Sequence, residues 1–249
     1  MSPRLSADSA FVIVVTRATL SSVLSDQGKF DEGLQTAREA YEECRTHGLT
    51  GMPGAGFVMT IYGGFLTEAG QYAEADSVLV EAYRIIHLLL APKSLWTGDN
   101  LRNQAMLLYR TGRYNAALEK ADETLHIYDE SFGPHYDNYP TALIIHGLSL
   151  DRLGRTADAE RDLREALRLR GESMPPGHFF TSLAQSALGE FLTHQNRFAE
   201  AEPLLVGSYE DLNRSQGSGN PRTVLARTRV HDLYLAWKKP DQASKYQHP

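Results

Sequence analysis

The stretch that decides the fold is Gly112-Arg113-Tyr114, followed by Ala117. A turn residue, an aromatic residue two positions later and a small residue three positions further on recur, with small departures, every 42 residues. We call the residue at the Gly112 position the anchor of its repeat. The anchors are Gly28, Gly70, Gly112, Gly154, Asn196 and Lys238. A fixed period through the whole chain indicates one supersecondary unit that is stacked repeatedly.

The sequence around Gly112 predicts two helices that are joined by a tight turn. Apolar residues such as Leu101 and Ala105 recur at helical spacing before the turn, and Ala117 continues the pattern after it. Glycine just past a helix end adopts a left-handed conformation at little steric cost, and asparagine, as at Asn196, tolerates it next best. The small residue after the aromatic lets the two helices approach closely.

Three further columns of residues keep the same register. The column four before the anchor is bulky, whereas the columns seven before and twelve after it are small. The bulky column is Leu24, Leu66, Leu108, Leu150, Leu192 and Tyr234; the small ones are Ser21, Gly63, Ala105, Gly147, Gly189 and, as an exception, His231, then Ala40, Ala82, Thr124, Ala166 and Ser208. Bulky and small positions in a constant register predict interlocking helix packing.

These columns resemble the tetratricopeptide repeat family. The first repeat departs from its pattern, with Gly33 where the others have alanine. The usual family period is about 34 residues. The period of 42 here resembles the longer variant of kinesin light chains and many bacterial proteins. Residues 132–141 also resemble the inter-repeat linker of that variant. The resemblance implies an all-α fold, a right-handed α-solenoid of antiparallel helix pairs.

We expect a single array over residues 1–249. The predicted repeats cover residues 10–48, 57–90, 95–132, 140–171 and 179–213, with a partial sixth repeat at 221–249. The glycine-rich segment 50–56 is interpreted as a linker and not as a phosphate-binding loop, because no Gly-Lys-Ser/Thr follows it. The apolar run 85–90, which Ala91-Pro92 is expected to stop, either packs under the next linker or forms an exposed patch for a partner.

Charged residues crowd the second helix of repeat four, where opposite charges stand three and four positions apart. They are Asp158, Glu160, Arg161, Asp162, Arg164, Glu165, Arg168 and Arg170. Such spacing stabilises an exposed helix slightly, and charged side chains are seldom buried. The pattern therefore predicts a solvated outer face.

The composition of the chain argues against several classes of partner and against some cellular locations. A net charge of −6 and a pI near 5.8 argue against nucleic acid or an anionic membrane as the main partner. The single cysteine, Cys44, excludes an intramolecular disulfide, and its place in a second helix predicts a buried, inert thiol. The apolar segment 11–15 is too short for a signal peptide, and no run is long enough to span a membrane. We expect a cytoplasmic protein, and the excess of arginine over lysine points to a bacterial source.

No catalytic or metal-binding motif is present. The nine histidines form no His-Glu-x-x-His, the single cysteine excludes Cys-x-x-Cys, and Gly-x-Ser-x-Gly and kinase signatures are missing. His146 is predicted to be a core histidine and not a ligand. We expect no metal, no cofactor and no enzymatic activity; a pocket with strongly shifted carboxylate or histidine titration would favour an enzyme instead.

The resemblance implies a binding groove on the concave surface that first helices line. Positions 13, 10, 9, 6, 3 and 2 before each anchor give polar candidates, namely Thr60, Asp99, Arg102, Asn103, Tyr109, Arg110, Asp151, Arg152, Glu190, Thr193, His194, Arg229 and Asp232. Arginine forks and an asparagine amide suit a peptide backbone and its acidic side chains. The predicted peptide site is Arg102, Asn103, Tyr109, Arg110, Asp151, Arg152, Glu190 and His194, with Arg102, Asn103, Arg110 and Arg152 expected to cluster; the alternative is a solvated groove without a ligand.

The best-known grooves of the family do not carry over to this chain. Of the asparagine ladder of kinesin light chains only Asn103 matches, and Ala18 and Ser22 stand where the chaperone-binding type has its carboxylate clamp. We expect a protein–protein interaction scaffold that binds a peptide or partner segment. The alternative is a regulatory or sensory arm of a larger multidomain protein, because residues 220–243 resemble the last repeat of arrays attached to bacterial serine/threonine kinases. The identity of the ligand and the oligomeric state stay open.

Overall fold

The computed structural model describes residues 7–90 and 93–247, which form two compact units that divide between Ser131 and Phe132. All regular elements in these residues are helical. The first unit contains α1 (Ala7–Asp26), α2 (Phe30–Thr46), α3 (Pro53–Glu68), α4 (Tyr72–Leu89), α5 (Leu95–Arg110) and α6 (Tyr114–Ser131). The second contains α7 (Tyr139–Arg152), α8 (Thr156–Ser173), α9 (Phe179–His194), α10 (Phe198–Gln216), α11 (Pro221–Ala236) and α12 (Pro240–Ala243).

The predicted all-α fold of stacked helix pairs is confirmed. In the first unit α1 pairs with α2, α3 with α4 and α5 with α6, and each pair packs on the next through α2 with α3 and α4 with α5. In the second unit α7–α8, α9–α10 and α11–α12 pair in the same way. The single array over residues 1–249 stays a prediction, and the proposed helix stop at 91–92 and the end of the sixth repeat at 248–249 lie outside the described residues.

The six turns between paired helices share one backbone geometry. All six anchors have a positive φ, from 59° at Asn196 and 60° at Lys238 to 83° at Gly28. At each turn the residue after the anchor donates its N–H to the carbonyl of the bulky residue four before the anchor, as from Arg113 to Leu108 at 2.9 Å. This hydrogen bond satisfies one of the last carbonyls of the first helix, and the predicted left-handed anchor is confirmed. Lysine at position 238 adopts this conformation at a cost of about 1 kcal/mol.

Small and large residues interlock across each helix pair. A Cβ added to Gly63 would lie 2.6 Å from the side chain of Leu79, which stands nine residues after the anchor. The pairs Gly147 with Leu163 and Gly189 with Leu205 repeat this fit in the second unit. In repeat three the same two positions are Ala105 and Ala121, both buried. Thus the small column seven before the anchor interlocks as predicted, but its partner is the residue nine after the anchor and not the predicted bulky column.

The one departure from the alanine column has a steric cause. A Cβ on Gly33 would lie 2.8 Å from the carbonyl oxygen of Ser21 and 3.0 Å from the ring of Phe65. The Phe65 ring packs against Phe30, with centroids 5.5 Å apart. Glycine at position 33 therefore makes room for an aromatic contact between the first two repeats.

The prediction that all charged residues of α8 are solvated is wrong for two of them. Asp162 and Arg170 are buried, whereas the other six remain at least partly exposed. The Asp162 carboxylate lies 2.6 Å from Nδ1 of His146, a partner on α7, and His146 is a core histidine as predicted. The Arg170 guanidinium donates to the Thr141 hydroxyl at 2.8 Å and lies 4.4 Å from the centroid of the Phe180 ring. Burial is possible because both charges have polar partners inside the unit.

Two smaller predictions concern the second helices of the first unit. Cys44 is buried as predicted, and burial raises the pKa of its thiol to about 11, so the thiolate is scarce at neutral pH. The apolar run at the end of α4 divides between its two interpretations. Ile85 and Ile86 are buried, whereas Leu88 is 75% exposed.

Candidate functional site

The predicted groove residues divide between the two units. Arg102, Asn103, Tyr109 and Arg110 lie on α5 in the first unit, whereas Asp151 and Arg152 on α7 and Glu190 and His194 on α9 lie in the second. The clustering of Arg152 with the α5 residues stays a prediction.

On α5 the predicted binding residues take part in helix packing. The Asn103 amide donates to the backbone carbonyl of Thr60 on α3, at 3.0 Å. The Tyr109 ring is largely buried against Tyr114, with centroids 5.6 Å apart. Nε of Arg102 lies 3.9 Å from a carboxylate oxygen of Asp99, one turn earlier on the helix. Arg110, at the C-terminal end of α5, is half-buried. These contacts hold α5 in place, so little of the polar surface of Asn103 and Tyr109 faces a ligand.

In the second unit three of the four predicted residues line a common pocket. It has a volume of about 310 Å³ and opens among the first helices α7, α9 and α11. Its lining is Arg152, Glu190, Thr193, His194, Arg229, Asp232 and Ala236. Three of these were in the predicted peptide site, and Asp151 contacts one of them. The second unit thus brings the predicted residues of α7 and α9 together.

The orientation of His194 is fixed by its neighbour on α7. Nδ1 of His194 lies 2.6 Å from a carboxylate oxygen of Asp151, whose other oxygen accepts a hydrogen bond from the Gln195 amide at 3.1 Å. The Asp151 side chain is almost fully buried, whereas His194 is about one-third exposed. A carboxylate that holds Nδ1 sets the ring orientation and leaves Nε2 as the nitrogen available to a ligand.

Glu190 connects the three first helices through its carboxylate. One oxygen makes an ion pair with Arg229 of α11, and the other lies 3.9 Å from the Arg152 guanidinium of α7. Arg229 also donates to the Ser186 hydroxyl at 3.1 Å. Glu190 and Arg229 are mostly buried, whereas the Arg152 side chain is 39% exposed. The charges are therefore arranged so that Arg152 presents its guanidinium at the mouth of a preformed, ion-paired site.

The pocket is lined mainly by polar and charged side chains. It presents guanidinium and imidazole donors beside the carboxylate of Asp232, which is exposed on α11. The Thr193 hydroxyl donates to the Gly189 carbonyl at 2.8 Å and so is engaged within its own helix. Within residues 7–90 and 93–247, no three histidine, cysteine or acidic side chains converge as metal ligands would. That same part of the chain also holds no helix with the length and apolar character that crossing a bilayer requires.

Several lining residues fell outside the predicted peptide site. Thr193, Arg229 and Asp232 belonged only to the wider set of groove positions, and Ala236 was not considered. The available signal was the register: Arg229 stands nine and Asp232 six residues before the anchor Lys238. The partial sixth repeat therefore contributes to the pocket, although the eight-residue prediction stopped at repeat five.

Comparison with solved structures supports this fold. BtubC (BKLC) from P. vanneervenii is 16% identical, with a TM-score of 0.58 over 90% of this chain and 87% of that one. A kinesin light chain-type protein of nearly identical TPR-like repeats from Podosopora anserina is 13% identical, with a TM-score of 0.54 over 81% and 95%. Pseudomonas aeruginosa PilF is 15% identical, with a TM-score of 0.50 over 96% and 89%. At such identities the likeness concerns the fold alone.

Family models identify the repeat directly. One tetratricopeptide repeat model matches residues 57–130 and 100–172, and a second matches residues 182–206. No curated protein matches the chain. The matched residues make up more than half of the sequence and include four of the six left-handed turns in full. With the stacked helix pairs and the fixed register, they establish that the chain belongs to the tetratricopeptide repeat family.

Proposed function

We propose that this protein is a non-catalytic interaction scaffold that binds a peptide or partner segment on the first helices of its second unit. Tetratricopeptide repeats generally mediate protein–protein interaction, which is the coarse basis of the proposal. The observation that carries it is the pocket among α7, α9 and α11, to which three consecutive repeats each contribute polar side chains. A segment lying across these helices would meet all three repeats at once.

The charges favour a segment with an acidic side chain or a terminal carboxylate. Arg152 offers a planar fork that matches a carboxylate in two hydrogen bonds, and His194 is held beside it with Nε2 available. Glu190, which is paired with Arg229, lies beside the Arg152 guanidinium, and Asp151 holds the His194 ring, so both donors are positioned before a ligand binds. Asp232 adds an acceptor for a basic or amide group of the same segment.

The test has two stages. Affinity capture from the lysate of the source organism, with cross-linking and mass spectrometry, identifies the bound segment, and a synthetic peptide of that segment is then titrated. We expect Arg152→Glu with His194→Ala to weaken binding roughly 100-fold, because two donors are lost and a like charge is introduced. Circular dichroism should be unchanged, since both side chains are partly exposed.

Arg214→Glu is a matched control within the same unit. Arg214 lies on α10, is 75% exposed and is paired only at the surface with Asp211. Its substitution should leave the peptide affinity within about twofold of the parent. Equal loss in both variants would indicate long-range charge effects, and unchanged binding in the pocket variant would remove this site from consideration.

The α5 residues are the second arm of the same test. Arg102→Glu with Arg152→Glu adds a change in the first unit to one in the second. If the peptide contacts only the second unit, the double variant binds no more weakly than Arg152→Glu alone. A further loss would instead restore the longer groove that the sequence predicts.

The alternative role as the regulatory arm of a larger protein rests on the resemblance of residues 220–243 to the last repeat of kinase-attached arrays. It is compatible with the same pocket, since a regulatory arm also binds a segment. Sequencing the gene on both sides of this reading frame would decide it: an adjoining kinase-coding region in frame supports the arm, and its absence rejects it.

A further inference from the structure

One face of α1 is exposed and carries large apolar side chains. Val12 is 61%, Leu20 50% and Val23 45% exposed. With Thr16 and Thr19, which are also exposed, these residues fall at positions i, i+4, i+7, i+8 and i+11, which is a single helical stripe. Clustered exposed apolar residues mark an interaction surface more often than isolated ones do. We call these five residues with Val15 the α1 stripe.

The 42-residue register indicates which surface the α1 stripe corresponds to in the later repeats. Its positions in the next repeat are Gly54, Phe57, Val58, Ile61, Tyr62 and Phe65 of α3. Tyr62 stacks on Tyr41 at 5.0 Å and Phe65 packs on Phe30 at 5.5 Å, both partners being in the preceding helix pair. The stripe is therefore the face that each later first helix uses to receive another helix pair.

The following repeat uses the same positions in the same way. On α5 they include Trp96, which packs against Phe57 of α3 with centroids 5.5 Å apart, and Asn103, whose amide bonds to Thr60. Leu107 at this face is buried. Two successive first helices thus pack this face against helices of the preceding pair, whereas α1 leaves it in solvent within the described chain.

The order of residues in the stripe suits a twofold partner. Counted about the midpoint between Arg17 and Ala18, Val12 is matched by Val23, Val15 by Leu20 and Thr16 by Thr19. Two copies of α1 packed antiparallel would therefore bring valine to valine, valine to leucine and threonine to threonine. An isologous contact requires this kind of self-complementarity.

Between Val12 and Val23 the only charged residue of α1 is Arg17, whereas Asp26, three residues after Val23, is exposed on the same face. The nearest charged residue, Arg17, is turned toward α2, where it donates to Glu43 at 2.6 Å. The Thr19 hydroxyl donates to the Val15 carbonyl at 3.0 Å, so its methyl group can face the partner. The stripe from Val12 to Val23 is therefore itself uncharged, and the acidic Asp26 lies beyond its end.

We infer that the α1 stripe is a homodimer interface, at which α1 of one copy packs antiparallel on α1 of a second copy of this chain. This site is separate from the pocket of the second unit, so it does not depend on the proposed function. The dimer covers the stripe with a helix, as helices of the preceding pair cover the matching faces of α3 and α5.

Sedimentation velocity over a range of concentrations tests the inference. We expect the purified chain to sediment as a dimer at micromolar concentrations, and Leu20→Glu with Val23→Glu to weaken dimerisation roughly 100-fold or more, because two charges per copy would be buried without partners. Leu88→Glu, at a 75% exposed leucine of α4, is the control and should leave the dimer intact. A monomeric parent chain, or a dimer that persists in the α1 variant, overturns the inference.

Cysteine cross-linking tests the orientation of the two helices. An equimolar mixture of Val12→Cys and Val23→Cys chains should form a mixed disulfide on mild oxidation, whereas each variant alone should not. Cys44 is buried, and its pKa of about 11 keeps it from reacting. Disulfides within each single variant, with none in the mixture, would indicate parallel helices and contradict the antiparallel dimer.

Discussion

Repeat three (α5 and α6) and repeat five (α9 and α10) have the same left-handed turn and the same register, yet they differ at three matched places. The interlocking pair is Ala105 with Ala121 in repeat three and Gly189 with Leu205 in repeat five. The inward positions are Asn100 and Asn103 in repeat three, and Ala184 and Ala187 in repeat five. The first helix ends with Tyr109 and Arg110 in repeat three, and with Thr193 and His194 in repeat five. All of these lie 84 residues apart in the sequence.

The difference shows where each repeat places its hydrogen-bonding groups. In repeat three they are inside: the Asn100 amide donates to the Thr60 hydroxyl at 2.9 Å and to the Leu79 carbonyl at 3.2 Å. In repeat five the inward positions are alanine, and the polar groups stand at the last turn of α9, where Thr193 and His194 line the pocket. One backbone frame therefore serves polar stacking in one repeat and a polar surface in the other.

The largest effect should come from the interlocking pair. Leu205→Ala should destabilise the protein by about 3 kcal/mol, because it removes a fully buried side chain and leaves a cavity. Gly189→Ala should also destabilise it, since the new Cβ would lie 2.5 Å from Leu205. The double variant recreates the alanine pair of repeat three, so we expect it to be at least about 1 kcal/mol more stable than the sum of the two changes predicts. Urea unfolding of the four proteins measures the coupling; strict additivity would show that the two positions do not interlock.

The inward polar positions should give the next largest effect. Asn100→Ala should lower the free energy of unfolding by about 2 kcal/mol, because a fully buried amide loses its bonds to Thr60, Leu79 and the Gln104 side chain. The reverse change in repeat five, Ala184→Asn, should cost about 1 to 3 kcal/mol, because it places an amide at a fully buried position. Both are measured by urea unfolding. A neutral Ala184→Asn would mean that the two repeats tolerate polar stacking equally, and the comparison would fail at this position.

Much of the fold was predictable because its determinants are local and periodic. The turn residues, the bulky column and the small columns each express a steric requirement of one helix pair, so the requirement recurs with every repeat. The small column that contains Gly147 was predicted in this way, whereas its partner Leu163, nine residues after the anchor, was identified only in the structure. What the period could not predict is a residue that departs from it, such as Gly33, whose cause is a ring on another repeat.

The site was less predictable because the exposure of a groove position depends on contacts with neighbouring helices, and the 42-residue period does not specify these contacts. Asn103 and His194 both stand at groove positions, yet one bonds to α3 and the other lines a pocket. Similarly, the charge spacing on α8 indicated an exposed helix, but Asp162 and Arg170 fall three and eleven residues after the buried Ala159, on its own face. The spacing of Asp162 and Arg170 from the alanine column was therefore a better indicator of their burial than the spacing between opposite charges.

The smallest effect concerns a salt bridge that both units contain in the same register. Arg197, one residue after its anchor, lies 2.8 Å from both carboxylate oxygens of Glu160 in the preceding repeat. Arg113 and Asp76 occupy the matching positions in the first unit, but they are 3.6 Å apart and about half exposed. The closer and less exposed pair should contribute more to stability, although surface pairs seldom exceed about 1 kcal/mol.

The pH dependence separates the two pairs. Partial burial raises the pKa of Glu160, but hydrogen bonds from Arg197 and Arg164 outweigh it, and the net pKa in the folded protein is lowered. A lowered folded pKa means that the contribution is fully present above the unfolded value of about 4.3 and is lost as the pH falls through the folded pKa. Glu160→Gln should therefore be less stable than the parent at pH 7, by up to about 1 kcal/mol, and this deficit should shrink between pH 5 and pH 3. Asp76→Asn should show a smaller deficit at pH 7. Urea midpoints of the three proteins across this range measure both; an equal deficit for the two variants would mean that distance and burial do not distinguish the repeats at their outer edge.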